Sequence, residues 1–98
     1  MPHATAKVDG VTVAETDSYE VVEGNIYFPP SSVNKNYFAS TDKHTTCPWK
    51  GRASYYTIDV NGTSYKDSAW YYPEPKSKAS HIKNYVAFYT SKIDVTSE

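Results

Sequence analysis

Eleven consecutive residues, Thr46-Cys47-Pro48-Trp49-Lys50-Gly51-Arg52-Ala53-Ser54-Tyr55-Tyr56, hold the only cysteine of the chain, one of its two tryptophans, a lysine, an arginine and two tyrosines. A thiolate is a soft nucleophile, and fixed cations grip phosphate or carboxylate. Flat aromatic surface stacks rings or cages a cation. As a nucleophile, Cys47 would need its thiol acidified, and Lys50 and Arg52 are the cations near enough in sequence to do so. No histidine stands at a recognisable catalytic spacing: His44 lies three residues earlier, and His81 could approach only through the fold. Free cysteine is also among the most buried residue types, so a structural or pocket-lining Cys47 outweighs a catalytic one.

The aromatic signal is broader. Trp49, Tyr55, Tyr56, Tyr65, Trp70, Tyr71 and Tyr72 place seven of the fifteen aromatic residues within 24 positions. Strand alternation would send Trp70 and Tyr72 to one face and Tyr71 to the other. A core needs only one of those faces, so the second set is expected to line a cleft or cover an interface. The competing reading is a core plus scattered surface tyrosines in a chain with few aliphatic residues.

Other residues point more weakly to chemistry. Glu15-x-Asp17 is the only close acidic pair ahead of the motif, and such a pair is usually solvated surface. The three histidines lack metal spacing, and His3, beside the terminus, is expected to be inert. Glu20 or Asp67 could pair with Lys50 or Arg52, as a surface ion pair or as a carboxylate that orients a ligand. One cysteine makes neither an internal disulfide nor a paired-cysteine zinc site. No cofactor or structural metal is expected.

Net charge is −1, which gives no whole-molecule attraction to a nucleic-acid polymer or a membrane. Its distribution is uneven. Residues 1–30 carry −4, residues 31–52 carry +3, and the remainder is balanced. Met1-Pro2-His3 begins no apolar signal region and no segment approaches a membrane span, so a reducing, cytoplasmic compartment is the expectation. Asn61-Gly62-Thr63 matches a glycosylation acceptor pattern but reads here as a turn.

The elements that must position these residues are short strands, in one domain over 1–98. Asp9-Gly10, Glu23-Gly24 and Asn61-Gly62 are hairpin turns. Tyr19–Val22 and Asn25–Phe28 flank the second, and Pro29-Pro30 ends that hairpin. Ser31 can cap a helix over 32–38, residues 40–51 read as a polar loop, and Arg52–Val60 is the strongest strand. On that strand Ser54, Tyr56, Ile58 and Val60 face one way and Ala53, Tyr55, Thr57 and Asp59 the other. Residues 63–65 and 69–72 are further strands, 77–83 one or two helical turns, 85–89 a central strand and 93–95 an edge.

Four motifs occur in order: Tyr27-Phe28-Pro29; Cys47-Pro48-Trp49-Lys50-Gly51-x-Ala53-x-Tyr55; Ala69-Trp70-x-Tyr72-Pro73-x-Pro75; and Tyr85-Val86-Ala87-Phe88-Tyr89. Together they resemble the domain of unknown function family 427 over about residues 6–95. The Trp49 position is Tyr in many relatives. The resemblance implies a small, mainly β, antiparallel β-tent-like domain, the fold of methionine-R-sulfoxide reductases of the B type and of the ligand-binding domain of cereblon. Those proteins carry zinc on four cysteines, and with Cys47 alone this chain is expected to do without it. A nucleotidyltransferase label is sometimes attached to the family, and a label does not establish an activity.

These observations support a binding module for a small, flat ligand, anionic or neutral, such as a nucleotide or metabolite. Its contacts would be Trp49, Lys50, Arg52, Tyr56, Trp70 and Tyr72. Cys47, Trp49, Lys50, Tyr56 and Trp70 are expected to converge on one concave surface, and Lys50→Ala to weaken an anionic ligand with little loss of stability. The alternatives are an enzyme using Cys47 as nucleophile, a nucleotidyltransferase-like activity, and a homodimer joined through the aromatic face.

Overall fold

The computed structural model describes residues 3–98; Met1 and Pro2, where the reading of the terminus begins, lie outside the described residues. Among the described residues, nine strands form three antiparallel sheets. β1 (Ala4–Val8) pairs with β2 (Val11–Thr16) on one side and β9 (Asp94–Ser97) on the other. β3 (Glu20–Val22) and β4 (Asn25–Tyr27) make a two-stranded ribbon. β5 (Phe38–Cys47), β6 (Gly51–Val60), β7 (Thr63–Tyr71) and β8 (Val86–Phe88) form a four-stranded sheet in chain order.

The turns follow their sequence. Asp9-Gly10, Glu23-Gly24 and Asn61-Gly62 all have positive φ at both positions, the geometry that matches the twist of a tight hairpin. The expected short helices are 3₁₀ turns instead. Residues 30–32 and 35–37 form two such turns, because extended Val33 bridges Ala14 and interrupts any helix over 32–38. Ser77–Ile82 is a kinked 3₁₀ segment that buries Ala79 and Ile82.

The largest departure is β5. Its run of Ser, Thr, Asp, Lys and His reads as loop by polarity, yet it is a ten-residue edge strand exposed along most of its length. Threonine is among the residues enriched in strands. Pairing with β6 supplies the ladder, with a bulge between Ser40 and His44. Residues 63–65 and 69–71 belong to one strand, β7, interrupted by a bulge where Asp67 has φ 50° and its N–H donates to Thr57 Oγ1 at 3.2 Å. β8, expected to be central, ends the four-stranded ladder, and on its outer side Phe28 and Val86 exchange backbone hydrogen bonds of 2.8 and 2.9 Å.

Strand alternation gives the four-stranded sheet two buried faces. Ile58, Val60, Ala69, Val86 and Phe88 pack against Ala4, Ala6, Val8, Val13 and Phe28, joining this sheet to the three-stranded one. On the opposite face Ala53, Tyr55, Tyr72 and Ala87 pack with Val22, Tyr27, Ala79 and Ile82. The bulges keep this division consistent: Tyr56 and Tyr71 stay with the first core, Trp70 with the second.

His3 is not inert. It exchanges backbone hydrogen bonds with Glu98, and its ring contacts Asp17 (Nδ1, 2.5 Å) and Glu15 (Nε2, 3.1 Å). Its pKa is raised from 6.5, first by the hydrogen bond to Asp17 and then by that to Glu15. A raised folded-state pKa stabilises the fold fully below the unfolded value and loses that stabilisation as pH rises through the folded one. The stability of the native chain is therefore expected to fall, as pH rises from below 6.5 through the raised folded-state pKa, by more than that of His3→Gln. Parallel thermal melts of the two proteins across that window check it; identical profiles would show that the pairing contributes nothing.

Candidate functional site

The motif loop turns within the β5–β6 hairpin, where Cys47 stands opposite Gly51. Gly51 has φ 113°, and a Cβ there would meet the carbonyl oxygen of Glu74 at 3.3 Å. Glycine thus lets the Pro73–Lys76 segment cross directly over the hairpin. Lys76 fastens the crossing: its N–H donates to Lys50 O at 2.9 Å and its ammonium to Pro48 O at 2.8 Å.

Lys50 is a buried cation, 6% exposed. Its ammonium pairs with Glu23 and lies 5.5 Å from the Trp49 ring centre and 5.4 Å from that of Tyr72. Burial pulls its pKa down, but the Glu23 hydrogen bond and the neighbouring Tyr27 and Tyr72 more than offset this, and the net shift is upward. Trp49 Nε1 also donates to Glu23, at 3.4 Å. Lys50 and Trp49 depress the Glu23 pKa in that order. Trp70 extends the same aromatic surface. Its Nε1 donates to Tyr27 Oη at 3.2 Å, and its ring centre is 4.7 Å from that of Tyr89. Cys47, half-buried, packs against this cluster. Burial raises the Tyr72 pKa, while Lys50 pulls it back.

Tyr56 and Arg52 point the other way. Tyr56 stacks on Tyr71 (4.5 Å), meets Phe38 edge-on (5.4 Å) and accepts a hydrogen bond from Lys35 at 3.3 Å. It belongs to the first core and does not join Cys47, Trp49, Lys50, Trp70 and Tyr72. The five remaining residues share a side of the sheet, but the ammonium of Lys50 fills the space between Trp49 and Tyr72. Aromatic wall and free cation are therefore separated, because Arg52 and Lys50 are two residues apart across the sharp turn at Gly51.

Arg52 lines a cleft of about 280 Å³ with His44, Ser54, Pro73 and Glu74. Neither Arg52 nor Glu74 is ion-paired; the ion pairs among the described residues are His3 with Glu15 and Asp17, and Lys50 with Glu23. His44 Nδ1 is 3.2 Å from Ser54 Oγ and 3.3 Å from Ala53 O. A carbonyl only accepts, so the contact with Ala53 requires a proton on Nδ1 and leaves Nε2 of the neutral ring as a hydrogen-bond acceptor. A second cleft, about 230 Å³, is lined by Lys7, Asp9, Tyr65, Lys92 and Asp94 among others. Several of its polar groups are committed: Tyr65 donates to Asp9 at 2.8 Å and Lys92 to Lys66 O at 3.0 Å.

The sequence reading passed over His44, Ser54, Pro73 and Glu74 as a site. One signal was present: had 40–47 been read as a strand, a hairpin closing at Cys47 and Gly51 would set His44 directly opposite Ser54, as observed. Glu74 left no such signal, since only the crossing over Gly51 brings it here.

The Domain of unknown function (DUF427) family matches residues 2–98. The chain belongs to this family. The nucleotidyltransferase label is a name given to DUF427, and the geometry adds no paired carboxylates to it: Glu15 and Asp17 both hold His3. Among the described residues, no group of three or more His, Cys, Asp or Glu is placed to hold a metal ion. No described helix is long and apolar enough to cross a membrane. A comparison with curated proteins found no match.

Proposed function

We propose that this DUF427 chain is a binding module for a small, flat metabolite that carries an acidic group, held in the cleft of His44, Arg52, Ser54, Pro73 and Glu74. The carrying observation is Arg52: a guanidinium on a concave surface with no acidic partner among the described residues. A planar guanidinium matches carboxylate or phosphate with two parallel hydrogen bonds. The Ser54 hydroxyl adds a polar contact at the same wall, His44 Nε2 offers an acceptor to a proton donor of the ligand, and the imidazole provides flat surface. Lys50 is withdrawn from the ligand contacts, since its charge is spent on Glu23.

Arg52→Ala is expected to weaken binding by about 1.5–3 kcal/mol, the range for hydrogen bonds to charged groups. Arg52 is exposed on its strand, so the melting temperature should stay near that of the native chain. A thermal-shift screen of small carboxylates and phosphates, followed by calorimetry of any hit on both proteins, checks this. A ligand that raises the melting temperature equally in both would place binding elsewhere.

The enzyme reading rests on Cys47. The thiol is half-buried and no described side chain hydrogen-bonds to it. Reactivity toward a thiol-specific reagent at neutral pH separates the two readings: a fast reaction favours chemistry, a slow one a packing role.

A further inference from the structure

Arg52 and Glu74 place opposite charges on one cleft without pairing with each other. Both are set by backbone that has little freedom. Arg52 lies within β6, opposite Thr46 of β5. Glu74 lies on the segment that crosses Gly51 and is tied down by the two Lys76 hydrogen bonds. A cleft whose walls carry an unpaired cation and an unpaired anion presents a directed field across its width. A plain anion satisfies only the Arg52 end and is repelled at the Glu74 end. A molecule with an acidic group and an ammonium satisfies both, and leaves neither charge unpartnered when the ligand displaces water.

Resting on the assignment of the ligand site to this cleft, we infer that its ligand is zwitterionic. The acidic group lies on Arg52, with the Ser54 hydroxyl beside it, and the ammonium lies on Glu74. The chemical class is that of an α-amino acid or a small aminophosphate. Glu74 is then a specificity residue that selects against simple carboxylates.

Three matched probes on one flat ring test this: phenylalanine, 3-phenylpropionate, which lacks the ammonium, and phenethylamine, which lacks the carboxylate. Titrations are followed by nuclear magnetic resonance of the His44 side chain in the native chain, Arg52→Ala and Glu74→Gln, and of the Arg52 side chain in the two proteins that keep it. Phenylalanine is expected to bind about tenfold more tightly than 3-phenylpropionate, as a charge-assisted contact worth about 1.4 kcal/mol requires. Glu74→Gln should remove that advantage, and Arg52→Ala should weaken binding of both carboxylates by about tenfold or more. If 3-phenylpropionate binds at least as tightly as phenylalanine, or Glu74→Gln tightens both, Glu74 merely repels anions. The zwitterion inference then falls while the anion site stands. If neither carboxylate shifts the His44 or Arg52 signals, the anion site itself is wrong and the inference goes with it.

Discussion

Trp70→Ala is expected to lower the unfolding free energy by about 3 kcal/mol, the low end of the range for truncating a large aromatic side chain, because Trp70 is only partly buried. The indole contributes in three directions. It donates to Tyr27 Oη, meets the Tyr27 ring edge-on with centres 6.3 Å apart, and lies 4.7 Å from Tyr89. It thereby ties β7 to the β3–β4 ribbon, which otherwise reaches this face mainly through Val22 and Tyr27. Its removal leaves the fully buried Tyr27 hydroxyl without that donor. Trp70→Phe keeps a ring but loses the N–H, and should sit between the two, about 1 kcal/mol below the native chain. Denaturant unfolding of the three proteins gives the comparison. A loss under about 1 kcal/mol for Trp70→Ala would mean that the aromatic face is a surface feature and not a second core.

Lys50→Ala should also act on the fold, by about 2–3 kcal/mol, and this reverses the sequence expectation of a ligand contact with little structural weight. Three contributions add. The cation over Trp49 and Tyr72 is worth about 0.5–2 kcal/mol, the charged hydrogen bond to solvent-exposed Glu23 adds to it, and the apolar stem packs where water is excluded. The sum is discounted because Glu23 is half exposed and screened by solvent. Lys50→Met separates the parts, since it keeps the stem and deletes the charge; it should recover part of the loss. Equal stabilities for the native chain and Lys50→Ala would return Lys50 to the list of ligand contacts.

The clefts and cores also explain why the two variants are expected to differ from Arg52→Ala. Arg52 and Lys50 are chemically alike and two positions apart, yet one ammonium is enclosed by rings and one guanidinium lines an open cleft. Ligand affinity and fold stability should therefore respond to different members of the same motif.

Much of this architecture was legible in the chain. Asp-Gly, Glu-Gly and Asn-Gly turns, β-rich runs between them and the alternation along 52–60 set the hairpins, the faces of β6 and the opposition of Trp70 and Tyr71. All of these depend on local backbone preference and the period of two, which a sequence carries without reference to distant residues. β5 escaped because its exposed side chains hide a strand behind loop composition. What holds it is pairing with β6, which is a non-local interaction. The helices over 32–38 and 77–83 became 3₁₀ turns for the same reason: Val33 is drawn into a bridge with Ala14, and Ala79 and Ile82 are drawn into a core. Only the tertiary structure decided that Glu23 would reach Lys50 across 27 positions, and that Glu74 would cross Gly51 to stand beside Arg52. Those contacts divide one sequence motif into a buried ion pair and an open cleft, because charge pairing and burial are properties of neighbours in space, and composition records only neighbours in the chain.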